Sequence, residues 1–170
     1  MTPEVIVSKF THSLKNFDPI VGQPSNSDLT RLQETVSPLP IQILYDETGA
    51  VHNLIGLILP EAAYVSRYGE AFPKPKRVRA YDNTIDNNAT SVVCARTEAA
   101  HKAKRVDHTT YETARRETTQ FVPTVVADTW VRELRDADSI YTEVSPKYLF
   151  SHLQVGCTGR HALDLLVLHN

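Results

Sequence analysis

Apolar residues recur at spacings of three and four through most of the second half of the chain, the period that gives a helix one apolar face. The best-marked stretch runs from Thr119 to Leu153. There Val125, Val126, Thr129, Trp130 and Leu134 predict a helix from about Pro123 to Arg135, with Asp128, Arg132, Glu133 and Arg135 on its other face. Trp130, the only tryptophan, would be its central core anchor. The following RDADS favours a turn, because short polar side chains compete with the backbone for hydrogen bonds. Ser145 followed by Pro146 reads as an N-cap with proline at the first helical position, opening a helix to Gln154 with Tyr148, Leu149, Leu153 and then Val155 inward.

Upstream, Val92, Ala95, Ala99, Ala103 and Val106 predict a helix capped by Asn88 or Thr90 and broken near Asp107. Tyr111, Ala114, Thr118 and Phe121 continue the stripe in a further helix, which Pro123 bends or restarts. The alanines permit close helix approach, at interaxial distances of about 8–10 Å. In the first third, Val5 to Val7 reads as a short strand, and the turn formers of NFDPIVGQPSNS predict a loosely held amino terminus. Ser27 can cap a helix from Asp28 to Val36 with Leu29, Leu32 and Val36 on one face, ended by Pro38 and Pro40. Ile41 to Tyr45 and Val51 to Leu59 flank DETGA as a hairpin, although LIGLIL fits a buried helical turn equally well. Pro60 and Glu61 open a helix to Tyr68 that Gly69 closes, and residues 71–89 form a long connecting loop. GCTG at 156–159 reads as a break before an apolar helix, HALDLLVLHN, whose lack of a polar finish predicts truncation. The expected fold is mainly α: a helical bundle with a small β-hairpin in the N-terminal third.

Composition changes this picture little. A hydrophobic fraction of 41% and a charged fraction of 22% are those of ordinary globular proteins. At 170 residues the chain can bury about 68–70% of the surface its unfolded form exposes. No run of about 18 apolar residues predicts a membrane span, and MTPEVIVSKF lacks the features of a signal peptide. A cytoplasmic protein is expected. Cys94 and Cys157 have no CxxC context and read as buried, reduced thiols.

Charge distribution matters more. Residues 71–116 hold 10 Lys or Arg against 5 acids, between flanks carrying 4 against 8 and 4 against 7. This block is either an electrostatic footprint for a polyanion or the partner of the acidic flanks. The candidate phosphate-seeking residues are Lys74, Lys76, Arg77 and Arg79 in the loop, with Lys102, Lys104, Arg105, Arg115 and Arg116 on helices. Only Tyr81 and Tyr111 could stack on bases, so weak, non-specific binding is expected.

Catalytic and metal chemistry find little support. His101 and His108 would lie about 10 Å apart along a helix, too far for one tetrahedral site even with Asp107. Glu133, Asp136, Asp138 and Glu143 read as a solvated turn. VGCTGR lacks the Lys-Ser/Thr ending of a phosphate-binding loop, and Ser151–His152 has no nucleophile elbow. Cys157 lacks an identifiable base. No cofactor, metal or enzymatic activity is expected.

Several segments, in order, resemble the Gag (capsid) polyprotein of copia-type LTR retrotransposons and its derived relatives. They are PSNSDLTRLQETV, HNLIGLILPEAAYVSRYGEAF with its proline-rich continuation, VVADTWVRELRDADSIYTEVSPKYLFSHL and GRHALDLLVLHN, of which DTW, ELRD, YTEVSPK and LFSHL are the most specific. The resemblance implies a helical, capsid-like domain that self-associates around element RNA. The CCHC knuckle, protease, integrase and polymerase segments are not in this sequence, so the match is to the capsid part. The implied division is an arm with a short helix and hairpin at 1–60, a capsid-like domain at 61–155, and the start of a truncated helix at 156–170. The structural core is expected at Trp130, Leu134, Tyr148, Leu149 and Leu153. The competing expectation is a non-catalytic helical module that binds a protein partner.

Overall fold

The structure, a computed structural model, describes residues 1–47, 50–78, 90–135, 141 and 144–167. It is mainly helical, with one antiparallel hairpin. In chain order come α1 (Pro3–Lys15), α2 (Asn26–Val36), the short α3 (Pro38–Ile41), β1 (Leu44–Glu47), β2 (Ala50–Asn53), a 3-10 turn at Leu54–Leu57 and α4 (Glu61–Tyr68). Then follow α5 (Ser91–Val125), two 3-10 turns at Asp128–Trp130 and Arg132–Leu134, and α6 (Pro146–Val167).

The expected strand at Val5 to Val7 is instead part of α1. Pro3 starts the helix without losing a needed N–H, and Ile6, Phe10 and Leu14 recur every fourth residue to face the core. Three β-branched residues in a row do not outweigh that stripe. Nor is the amino terminus loose. Phe17 meets Phe121 of α5 edge-on at 5.9 Å, and the Ile20 N–H donates to the Val125 carbonyl at 2.7 Å.

α2 starts two residues earlier than Ser27 alone would predict, because Ser25 and Asp28 form a reciprocal capping box. The Ser25 hydroxyl accepts from the Asp28 N–H at 3.2 Å while the Ser25 N–H donates to the Asp28 carboxylate at 3.0 Å. Leu29, Leu32 and Val36 are buried as their spacing requires. The hairpin pairs Leu44 with Asn53 and Glu47 with Ala50, and LIGLIL leaves it as the buried 3-10 turn. There the Asn53 side chain accepts from the Ile55 N–H. Gly56 packs so close to Phe72 that a Cβ would overlap the ring. α4 ends on Gly69, whose φ of +79° belongs to the left-handed region.

α5 is one helix of 35 residues, unbroken at Asp107 and containing Pro123 in its last turn. A proline so near the end removes one backbone donor but leaves little helix beyond it to disturb. The helix expected from Pro123 to Arg135 does not form. Val126 is extended and forms a parallel bridge with Ile20, and the chain then descends through the two 3-10 turns. This exchange of partners corrects the core assignment. Val131 is fully buried, whereas Trp130 and Leu134 are partly buried against the rim of the core.

α6 begins as its sequence predicts, the Tyr148 N–H donating to the Ser145 hydroxyl at 3.3 Å. Leu149 and Leu153 are buried as expected, together with Phe150 and Cys157. Tyr148 is 57% exposed and is not a core residue, because the inward stripe passes through 149, 150, 153 and 157. That stripe carries the helix straight through Gly156, so GCTG is not a break. Glycine inside a helix costs only about 1 kcal/mol relative to alanine, less than burial of the neighbouring apolar residues returns.

Candidate nucleic-acid interface

The core covers only part of α5. From Thr110 to Val125 its inward residues, including Tyr111, Ala114, Phe121, Val122 and Val125, are buried beneath other elements. From Ser91 to Thr109 the helix is open to solvent along most of its surface, with Val92 75% exposed and Val106 49%. Cys94 is correspondingly half-buried, against the expectation of a buried thiol.

The candidate cations separate on this helix. At about 100° per residue, Lys102, Arg105 and Arg116 fall within roughly 60° of one another, while Lys104 and Arg115 point to another side together with Tyr111. Arg115 and Arg116 are held by neighbouring carboxylates, Glu112 at 3.2 Å and Glu117 at 3.1 Å. Lys102, Lys104 and Arg105 are exposed and form no ion pair among the described residues. Lys102 and Arg105 line a groove of about 640 Å³ between α5 and the first residues of α1, with His101, Glu98, Thr109 and Met1 among its walls.

The loop cations Lys74, Lys76 and Arg77 are also exposed, whereas Arg79 lies outside the described residues, as does Tyr81. The start of this segment is anchored. Phe72 packs on Tyr64 and lies 6.3 Å from the Tyr111 ring, and the Tyr45 hydroxyl donates to the Pro73 carbonyl. The Phe72 N–H donates to the Glu61 carboxylate, which also pairs with Lys147 at 3.2 Å. The Phe72 amide, ahead of the Lys147 ammonium, holds the Glu61 carboxyl below the ordinary glutamate range. Tyr111 is about half a turn around α5 from Lys102, so the loop docks away from the groove.

Cys157 and His152 act as structural fasteners. Cys157 is buried, its thiol donating to the Pro24 carbonyl at 3.0 Å, and burial pushes its pKa up, away from a reactive thiolate. His152 reaches the Trp130 carbonyl at 3.1 Å and the Glu133 carboxylate at 3.0 Å through the same Nε2, tying α6 to the 3-10 turns. Ser151 is exposed on the first part of α6. Among the described residues no three His, Cys, Asp or Glu gather to hold a metal, and no helix is long and apolar enough to cross a membrane. Asp136, Asp138 and Glu143 lie outside the described residues.

Sequence reasoning named Lys102 and Arg105 but missed the groove. Its second wall comes from the opposite end of the chain, and α1 was hidden behind three β-branched residues. The spacing of Ile6, Phe10 and Leu14 is the signal that could have found it. No protein-family model, curated protein or solved structure matches the chain.

Proposed function

We propose that this chain is a structural, capsid-like Gag module of a retrotransposon, or a protein derived from one, that self-associates in the cytosol and packages element RNA without base specificity. The observation that carries the reading is the uncovered first half of α5, which interleaves exposed Val92, Val93 and Val106 with Lys102, Lys104 and Arg105, cations that form no ion pair among the described residues. An apolar stripe left open beside those cations supports contact with both protein and phosphate. The ordered Gag-like segments from PSNSDLTRLQETV onward add to it. The work asked of such a module is contact, and no residue is assigned to a reaction.

Size-exclusion chromatography with light scattering, over a range of protein concentration and with and without single-stranded RNA, tests the proposal. Concentration-dependent oligomers that grow with RNA and shrink in Val92→Asp/Val106→Asp are expected. A strict monomer under every condition would overturn it. Oligomers indifferent to RNA would favour the alternative, a helical protein-interaction module.

A further inference from the structure

We infer that the groove between the first turn of α1 and residues 98–110 of α5 is a phosphate-binding subsite for single-stranded RNA. In naming RNA as the source of the phosphate, the inference rests on the reading above.

Lys102 and Arg105 of α5 place positive charge there. Lys102 and Arg105 lie one turn apart on the same face of α5, about 4.5 Å in rise, so both can reach one phosphate. The lysine acts as a point charge and the arginine offers a planar fork of N–H donors. Across the groove stand Met1, Thr2 and Pro3 at the start of α1, whose first turn already carries the Glu4 carboxylate. Pro3 at its first position has no N–H to offer, so the two cations carry the attraction.

The contrast within α5 points to a ligand from outside. Arg115 and Arg116 are each matched with a glutamate, while Lys102 and Arg105 have no such partner among the described residues although Glu98 lines the same groove. At about 640 Å³ the groove admits a nucleotide-sized group, since ligand clefts commonly measure about 300–1,000 Å³. Among the described residues no Phe, Tyr or Trp lines it, and Val106 and Met1 supply apolar surface. The subsite therefore reads the backbone rather than the bases.

The test uses the full chain, a fluorescein-labelled single-stranded RNA of mixed sequence, and inorganic tripolyphosphate. Anisotropy and calorimetry are compared for the parent chain, for Lys102→Gln/Arg105→Gln and for the loop variant Lys74→Gln/Lys76→Gln/Arg77→Gln. The groove variant should lose tripolyphosphate binding, bind RNA at least about tenfold more weakly, and lower the log–log salt slope by about 1.4, two contacts at about 0.7 each. The loop variant should keep its tripolyphosphate binding. Loss of tripolyphosphate binding in the groove variant, with no RNA binding by the parent chain, would support the phosphate subsite and end the RNA reading. RNA binding that falls only in the loop variant would overturn the groove and leave the RNA reading standing. Absence of binding to both probes would overturn both.

Discussion

The two halves of α5 follow the same spacing rule and meet opposite fates. From Val92 to Val106 an apolar stripe at three-four spacing lies in solvent, while from Thr110 to Val125 the continuing stripe is core. Periodicity tells which residues share a face, and it does not tell whether another part of the chain arrives to cover that face. The covered half has α1, the 54–57 turn with Phe72, and α6 around it. Among the described residues the open half meets the start of α1 near its end. Matched truncations measure the difference. Phe121→Ala should cost about 3–5 kcal/mol, as deletion of a large buried aromatic does, whereas Val92→Ala should stay within about 0.5 kcal/mol. Equal shifts in denaturation midpoint would break the comparison. Hydrogen exchange should separate the halves in the same sense, with amides of 91–109 exchanging faster than those of 110–125.

The next effect in size concerns the cover rather than the helix. Gly56 leaves room for the Phe72 ring, which in turn approaches Tyr111 at the start of the covered half. Gly56→Ala should displace that ring and cost about 1–3 kcal/mol through overpacking, with the loss of protection confined to α5 beyond Thr110. A fully native melting temperature would show that the turn does not hold Phe72 in place.

Legibility divides along the same line. α2, α4 with its Gly69 cap, and the Ser145 start of α6 were readable because each is fixed by neighbours within a few residues. The 123–135 helix was misread because Val126 pairs with Ile20, a partner more than a hundred residues away. Trp130 looked central for the same reason: its spacing fitted a helix that the pairing prevents. The candidate site shows the pattern again. Lys102 and Arg105 could be named from charge, but the side on which Arg115 and Arg116 fall relative to them needs the continuous helix through Asp107. The groove needs α1 as well. Non-local partners decided each outcome, and one sequence does not announce them.

A smaller effect, of opposite sign, tests the cover supplied by α6. Gly156 lies inside that helix, where a Cβ would meet the Trp130 ring at 3.9 Å, an ordinary contact. Gly156→Ala should therefore stabilise the protein by about 0.5–1 kcal/mol, the helix-interior difference between the two residues. A lowered melting temperature would mean that 156–159 breaks the helix after all, and that α6 covers α5 with only its first ten residues or so.

The smallest effect is a pH dependence in the clasp at Glu61, which joins α4, the Phe72 backbone and Lys147 of α6 over the covered half of α5. Its carboxyl is held below the ordinary value of 4.5, first by the Phe72 N–H and then by Lys147. The folded state thus binds the proton less readily than the unfolded chain, so the clasp contributes its full stabilisation above the ordinary value. That contribution fades as the pH falls from about 4.5 through the lower folded-state value. The carboxylate is exposed, and solvent screening keeps the effect small. Glu61→Gln should melt slightly below the parent chain at pH 7, and the two should converge in more acid solution, while the acid sensitivity from Asp28 remains common to both. A gap in melting temperature that stays constant from neutral to acid pH would show that the Glu61 charge does not fasten Phe72, leaving the apolar contacts of that ring to cover α5 alone.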